Sequence, residues 1–195
     1  MNLFQDSIVT KFLAGAMTFL GMAFAHTSLY VSDEQVAQAS PPLVIAPELP
    51  SHLFIPSLEI NANIQHVGLT TTGAMASPKG FVDAGWYRHG VIPGQEGGAV
   101  FAGHLDNGLA LPGVFKNLAK VGIGADVYVT TEEKTTLHFV VTDVDSYDYK
   151  NTPDELVFND RGPGSRIRLI TCVGKWVQAD KTYDKRLVVT AKLVP

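Results

Sequence analysis

The sequence has little charge, and this excludes two broad classes of protein. Charged residues make up 17% of the 195 residues, and 15 basic against 19 acidic side chains leave a formal net charge of -4. With 46% hydrophobic residues, the chain has neither the positive field that attracts nucleic acid nor the excess charge that keeps a chain unfolded. We therefore expect a folded protein that does not bind nucleic acid.

Several catalytic signatures are also missing. The chain contains no Gly-x-Ser-x-Gly, no His-Glu-x-x-His and no phosphate-binding glycine-rich loop that ends in lysine. It has one cysteine, so it can form no internal disulfide and can offer no second thiolate to zinc. We therefore expect an activity that needs no metal and no other cofactor.

A long apolar stretch lies near the amino terminus. The 21 residues from Phe12 to Ser32 include no Asp, Glu, Lys or Arg, and at about 1.5 Å per residue a helix of this length crosses a hydrocarbon core of about 30 Å. Lys11 precedes the stretch, and Asp33 and Glu34 follow it, which favours an amino end inside the cell. Residues 1–32 are therefore predicted to be a single-pass transmembrane helix that holds the rest of the chain outside the cytoplasm.

A cleaved signal segment is the alternative interpretation of residues 1–32. Ala23-Phe24-Ala25 and Ala37-Gln38-Ala39 have the small-x-small pattern of cleavage sites, and a cleaved protein would be secreted. The following residues, 33–51, are rich in proline and are predicted to be an extended linker. The folded domain is then predicted at residues 52–195.

Within residues 52–195 the pattern is mainly that of β-strands. Two short segments, Val114 to Val121 and Pro153 to Phe158, have helical character. Runs rich in Val, Ile, Thr and Phe recur between turn signals, which predicts a mostly antiparallel closed β-barrel with one or two short helices. These runs are Leu53 to Ile60, Ile64 to Leu69, Ala99 to Ala102, Asp126 to Thr131, Thr135 to Val144, Arg166 to Thr171 and Arg186 to Val194.

The single cysteine, Cys172, is a small buried residue, an intermolecular link or a working thiol. It follows the alternating run Arg166 to Thr171, where a predicted strand ends and Val173-Gly174 allows a turn. The alternation predicts that Cys172 shares a face with Arg168, and that Thr171 points to the other face. A charged neighbour on its face favours a working thiol at the barrel rim.

Two further residues could complete a site with this thiol. His104 follows the buried-looking strand Ala99 to Gly103, so an imidazole is predicted at another strand end. Arg186 lies 14 residues after Cys172, and a hairpin would bring its positive charge back beside the sulfur. The three side chains are therefore predicted to share one rim of the barrel.

Residues 52–195 contain a set of ordered motifs: Gly103-His104 after Pro93-Gly-Gln-Glu-Gly97, Leu169-Ile-Thr-Cys172, and Arg186 opening the last predicted strand. These motifs resemble those of the sortases, the cysteine transpeptidases of the bacterial cell envelope. Further similar segments are most like the class F branch: Ile55-Pro-Ser-Leu-Glu-Ile60, Gly85-Trp-Tyr87, Gly113-Val-Phe115 and Val188-Val-Thr-Ala191.

This resemblance implies an eight-stranded barrel with Cys172 as nucleophile, His104 as acid and base, and Arg186 as the oxyanion-stabilising arginine. It implies that a Leu-Pro-x-Thr-Gly-like sorting signal of surface proteins is cleaved through a thioester. The acyl group would then pass to an amine, either a peptidoglycan cross-bridge or a pilin lysine.

Substrate contacts are expected from residues beside the thiol and from the long connection between residues 146 and 165. The candidates are Thr171, Leu156, Val157, Phe158 and Trp176, and a core role is an equal alternative for the three residues at 156–158. Three other functions stay open: an envelope cysteine peptidase, a murein L,D-transpeptidase, and a catalytically silent module that only binds surface proteins.

Overall fold

The computed structural model of the chain describes residues 48–107, 109 and 111–195. The predicted membrane segment at residues 1–32 and most of the predicted linker lie outside these residues. Within the described part of the chain, no helix has the length and apolar character needed to cross a bilayer.

The described residues form mainly strands, with little helix. They also include one α-helix, α1 (Asp154–Phe158), and two 3₁₀ turns, at Pro56–Leu58 and Leu118–Lys120. The strands are β1 (Pro50–Ile55), β2 (Ile60–Val67), β3 (Ala84–Tyr87), β4 (Gly97–Gly103), β5 (Asp126–Thr131), β6 (Thr136–Asp148), β7 (Ser165–Val177) and β8 (Thr182–Leu193).

These strands close into a barrel in the order β1-β2-β3-β4-β7-β8-β6-β5. Most neighbours are antiparallel, but β2 pairs with β3 and β4 pairs with β7 in parallel. A parallel pair cannot be joined by a tight hairpin, so the chain leaves the barrel between the consecutive strands β2 and β3. It also leaves the barrel in the long connections after β4 and after β6. The segments that leave the barrel supply walls for the cleft described below.

Alternating apolar side chains fill the barrel interior. In β5, Val127 and Val129 are fully buried while their neighbours are more exposed. Leu53 and Ile55 of β1 and Phe139 of β6 meet them in the same core cluster. Each such side chain contributes about 1.5–3 kcal/mol when it leaves water, so this packed core stabilises the barrel.

A second, smaller cluster covers part of the outer barrel surface. Val157 of α1 packs there with Val100 of β4 and Val188 of β8, and all three are buried. Phe158 and Ile170 pack against this group. The helix therefore lies on the outside of β4 and β8, and it shields one flank of the strands that carry the predicted site.

The structure confirms a mainly β, closed barrel with short helices, and it changes several element bounds. The run Leu53 to Ile60 was predicted as one strand, but Pro56 divides it, and Glu59 turns the chain with a φ of 54°. The predicted helix at residues 114–121 is only a 3₁₀ turn at its end. The short strand β3 was missed, because four residues that include a glycine give a weak strand signal.

The connection from α1 to β7 is held by one carboxylate. Asp160 accepts hydrogen bonds from Arg166 Nε and Nη2, at 2.7 and 2.8 Å, and from Arg168 Nη2 at 2.7 Å. Its backbone oxygen accepts from Gly98 of β4 at 3.1 Å. The bonds to the carboxylate, led by those from Arg166, hold the pKa of Asp160 far below its ordinary value, although burial opposes them. The carboxylate thus fixes the connection against β7, and the backbone carbonyl of the same residue fixes it against β4.

We predict that Asp160→Asn lowers the free energy of unfolding by about 3 kcal/mol, because it leaves the buried Arg168 without a counter-ion. The lowered pKa means that the carboxylate stabilises the fold above its unfolded pKa of about 4, and that this contribution fades as the pH falls below that value. Urea unfolding of the full-length protein, followed through the fluorescence of the buried Trp86, measures both effects.

Asp126→Asn is the matched control for this variant. Asp126 pairs with His138, but their side chains are 50% and 37% exposed, so its loss should change the unfolding free energy by less than about 0.5 kcal/mol. A loss in Asp160→Asn as small as that in the control would show that backbone bonds alone hold the connection.

Candidate active site

Parallel pairing of β4 with β7 brings His104 level with Cys172. The register runs from Gly97 opposite Ser165 to Ala102 opposite Ile170. Because both strands run in the same direction, the next positions along them, Gly103 with Thr171 and His104 with Cys172, stay side by side. The Thr171 hydroxyl donates to the Gly103 carbonyl at 2.8 Å, which holds the two strands together at this level.

Cys172 lies on the outer face of β7. Thr171 and Leu169 are buried, whereas Cys172 and Ile170 are partly exposed. This confirms the predicted alternation and excludes the core interpretation of the cysteine. The strand continues to Val177, however, so Cys172 does not end it as predicted. Instead, the chain bulges between Val173 and Trp176, and Gly174 takes a left-handed φ of 92° there.

Arg186 of β8 is the direct antiparallel partner of Cys172. The hairpin between β7 and β8 therefore returns the guanidinium to the sulfur, as predicted, although Arg186 is the fifth residue of its strand. Its Nη1 donates to the carbonyls of Tyr183 and Lys185, both at 3.0 Å, and its Nη2 donates to Thr182 Oγ1 at 2.9 Å. These acceptors hold the guanidinium in place without neutralising it.

The ring of His104 is held by the connection between β2 and β3. Its Nε2 lies 2.9 Å from the carbonyl oxygen of Pro78. Since a carbonyl only accepts, Nε2 carries the proton, and Nδ1 is the nitrogen that can exchange a proton with a substrate. The ring of Phe81 packs on the imidazole at 4.7 Å between centroids.

The backbone of His104 is equally constrained. Its carbonyl accepts from Phe115 N at 2.9 Å. A Cβ on Gly113 would lie 2.3 Å from the same oxygen, so only glycine allows the two segments to approach this closely. The loop after β4 therefore positions the imidazole by backbone packing.

Cys172, His104 and Arg186 line a single open cleft of about 1160 Å³. The three predicted catalytic side chains are therefore brought together on one surface. The cleft is walled by the connection between β2 and β3, by the loop after His104, by α1 with its flanking residues, and by the turn between β7 and β8. Its size suits an extended peptide of several residues.

Opposing influences act on the thiol of Cys172. Burial, the largest effect, raises the pKa of the thiol, and the positive charge of Arg186 lowers it. The negative charge of Asp106 raises the pKa again, and a hydrogen bond from Thr182 lowers it. The net shift is upward, so the resting sulfur is a neutral thiol, and its thiolate is a minor species at neutral pH.

The predicted substrate-binding residues divide into two groups. Phe158 and Trp176 line the cleft, and the Trp176 side chain is 53% exposed at its edge. Thr171 borders the cleft, but its side chain is buried and its hydroxyl is bonded to Gly103. Leu156 is exposed but does not line the cleft, and Val157 is fully buried among the outer cluster. Of the alternatives for residues 156–158, the structure thus places Val157 in the core.

Sequence reasoning missed several groups that the fold brings to this cleft. Thr182 and Tyr183 precede Arg186 by four and three positions, and Asp106 follows His104 by two positions. Their closeness in sequence to Arg186 and His104 could have marked them as candidates for the site. Which of them bond to each other across the cleft depends on strand register, as for Tyr183 with Asp106. No group of three or more His, Cys, Asp or Glu side chains in the described residues is arranged to hold a metal ion.

The sequence model of the sortase domain matches residues 53–194 of this chain. No curated protein sequence matches it significantly.

Several sortases are among the solved structures similar to this chain. The lid mutant of sortase A from Corynebacterium diphtheriae is 22% identical, with 79% of this chain and 74% of that chain covered and a TM-score of 0.57. Sortase C-1 from Actinomyces oris is 24% identical over 77% and 74%, with a TM-score of 0.57. A sortase D5 transpeptidase from Clostridium perfringens is 16% identical over 75% and 79%, with a TM-score of 0.54. At these identities the likeness concerns the fold.

We predict that Thr182→Val raises the pKa of Cys172 further, since it removes a hydrogen bond to the sulfur and an acceptor that holds Arg186. Alkylation by iodoacetamide at neutral pH should slow about tenfold for each unit of the rise, because only the thiolate reacts. The rate measured against pH in the full-length protein gives the pKa directly.

Thr190→Val makes the same chemical change on β8 away from the cleft and should leave the alkylation profile unchanged. An unchanged profile in Thr182→Val as well would show that Arg186 alone sets the favourable field at the sulfur.

Proposed function

The chain belongs to the sortase family and is a cysteine transpeptidase, and we propose that it cleaves a Leu-Pro-x-Thr-Gly-like sorting signal and transfers the acyl group to an amine in the cell envelope. The observation that carries this proposal is that His104 and Cys172 each lie two residues beyond the last paired positions of β4 and β7, and that Arg186 pairs directly with Cys172 across β7 and β8. Nucleophile, proton carrier and oxyanion partner then face one peptide-sized cleft.

The first half of the reaction makes a thioester. Cys172 first gives its thiol proton to Nδ1 of His104. The resulting thiolate attacks the carbonyl carbon of the scissile peptide bond, which gives a tetrahedral intermediate with a negative oxygen. Protonated His104 gives a proton from Nδ1 to the leaving amine, while its Nε2–H stays on the Pro78 carbonyl. The C–N bond breaks, and the acyl group stays on the sulfur.

Arg186 stabilises the negative oxygen of the tetrahedral intermediate. Three of its hydrogen bonds are directed to Thr182, Tyr183 and Lys185, and a guanidinium has five N–H donors, so donors remain for the substrate. Because the guanidinium is held before substrate binds, it needs no reorganisation as the charge develops.

The second half of the reaction returns the free enzyme. An amine attacks the thioester, neutral His104 takes one of its protons, and Cys172 leaves as a thiolate. We propose that the acceptor is a peptidoglycan cross-bridge or a pilin lysine. Water in place of the amine would make the enzyme a peptidase.

We also propose a branch of the family and a location for the enzyme. The motifs around residues 55–60, 85–87, 113–115 and 188–191 support class F, and the apolar stretch at residues 12–32 supports a single-pass membrane anchor with the catalytic domain outside the cytoplasm. If the leader is cleaved, the enzyme is secreted.

The proposed reaction is tested by incubating the full-length protein with a library of Leu-Pro-x-Thr-Gly-like pentapeptides, with and without an amine. We expect a mass increase on Cys172 equal to the acyl fragment, its release as an amide when amine is present, and no adduct in Cys172→Ala. Release only as the free acid would identify a peptidase. A silent binding module would give no adduct although its thiol is alkylated normally.

Removal of the guanidinium should affect rate far more than stability. Arg186→Ala should lower kcat by about 10²–10³, which corresponds to about 2.7–4 kcal/mol for one well-placed oxyanion donor. Lys185→Ala is the control, because it removes a positive charge from the adjacent, exposed position of the same strand. Equal losses in the two variants would mean that general positive charge, and not a directed donor, assists the reaction.

A further inference from the structure

One carboxylate in the cleft has no part in the steps above. Asp106 follows His104 by two positions, and its side chain is only 13% exposed although it lines the same cleft as Cys172. Tyr183 Oη donates to Asp106 Oδ2 at 2.7 Å. The Asp106 backbone also forms an isolated β-bridge with Pro112. The carboxylate is therefore held in a defined position near the nucleophile.

Asp106 opposes the formation of the nucleophile. Its negative charge raises the pKa of Cys172, whereas the positive charge of Arg186 lowers that pKa. It also raises the pKa of Tyr183, chiefly through the hydrogen bond, so the tyrosine stays a neutral donor. A carboxylate in this position would instead attract a positively charged group that enters the cleft.

The structure already contains an example of such a pair. The Nζ of Lys116 lies 3.4 Å from Asp106 Oδ2, and its side chain is 44% exposed. Asp106 can therefore accept a primary ammonium while Tyr183 keeps its hydrogen bond. Lys116 does not line the cleft, and because its side chain is partly exposed to solvent, its ion pair with Asp106 adds little stability. The carboxylate can therefore still bind a second cation that enters the cleft.

We propose that Asp106, supported by Tyr183, binds the acceptor substrate as its primary ammonium ion and delivers it to the thioester on Cys172. This inference rests on the proposed transpeptidase function. An aliphatic amine such as a lysine side chain has a pKa near 10.4 and is almost wholly protonated at neutral pH, so the enzyme meets the acceptor mainly as a cation. A carboxylate beside the thioester concentrates that form.

The chemistry balances with the groups present. The bound ammonium gives one proton to neutral His104, and its nitrogen attacks the thioester carbon. The new C–N bond forms, the second proton passes to water, and the C–S bond breaks with Cys172 as the leaving thiolate. The products are an amide, a thiolate, protonated His104 and one proton in solution.

The test uses the full-length protein, with the thioester first formed from a Leu-Pro-x-Thr-Gly-like peptide. The thioester is then resolved at neutral pH by one of two nucleophiles, lysine amide blocked at its α-nitrogen, which is cationic, or hydroxylamine, which is uncharged. We expect Asp106→Asn to lower the second-order rate with the cationic amine about 10- to 100-fold. Its rate with hydroxylamine should stay close to that of the wild type.

Three further measurements separate ammonium binding from a structural role. Asp106→Asn should alkylate faster at neutral pH than the wild type, because the pKa of Cys172 falls when the negative charge is lost; a damaged site would not gain reactivity. Tyr183→Phe keeps the charge and should keep most of the preference for the cationic amine. Lys116→Met should leave the rate with that amine unchanged or raise it.

Equal losses with both nucleophiles would overturn the proposal and leave Asp106 as a residue that only positions the loop after His104. Equal rates in Asp106→Asn and the wild type with the cationic amine would overturn it too. Both results require that the thioester forms, so they leave the proposed function intact. Absence of any thioester in the wild type would instead refute the proposed function, and this inference with it.

Discussion

The active site depends on the parallel pairing of β4 with β7. Parallel strands keep their carboxyl ends at the same edge of a sheet, so the residue that follows β4 stays beside the residue at the same level of β7. His104 therefore lies next to Cys172, although 68 residues separate Gly103 from the Thr171 hydroxyl that is bonded to its carbonyl. An antiparallel pair would carry the imidazole and the sulfur to opposite ends of the barrel.

The same arrangement places the chemistry outside a packed interior. Alternation along β7 turns Leu169 and Thr171 into the barrel and Cys172 outward, so the core can be dry and tightly packed while the sulfur faces a cleft. Stability and catalysis thus use opposite faces of one strand. Asp160 connects the two, since it ties the end of the α1 wall to β4 and β7 through Arg166, Arg168 and Gly98.

Electrostatics at the sulfur are a compromise between the two halves of the proposed reaction. Burial and Asp106 favour the neutral thiol, and Arg186 and Thr182 favour the thiolate. A purely positive surrounding would make a more reactive nucleophile, but it would repel a cationic acceptor. The Asp106 carboxylate in the same cleft offsets that repulsion, and the resting enzyme carries a neutral thiol that reacts more slowly with other compounds.

The sequence by itself determined the class of the fold and predicted which three side chains form the candidate site. Alternating apolar residues indicate strands with one buried face, because a strand presents alternate side chains to one face. The candidate site was predicted from three residues at predicted strand ends: the lone cysteine Cys172, His104 after a glycine, and Arg186. Local pattern failed where the signal was short or interrupted, as at β3 and at Pro56. It also could not separate Phe158, which lines the cleft, from its neighbour Val157, which is buried.

Only the tertiary structure decided which groups meet across the cleft. The bonds of Tyr183 to Asp106, of His104 to Pro78 and of Thr182 to Arg186 depend on strand register and on how the connecting loops fold back over the barrel. Register shifted by one residue would turn these side chains to the other face. Such contacts arise from the closure of the whole barrel, and no local stretch of sequence carries that information.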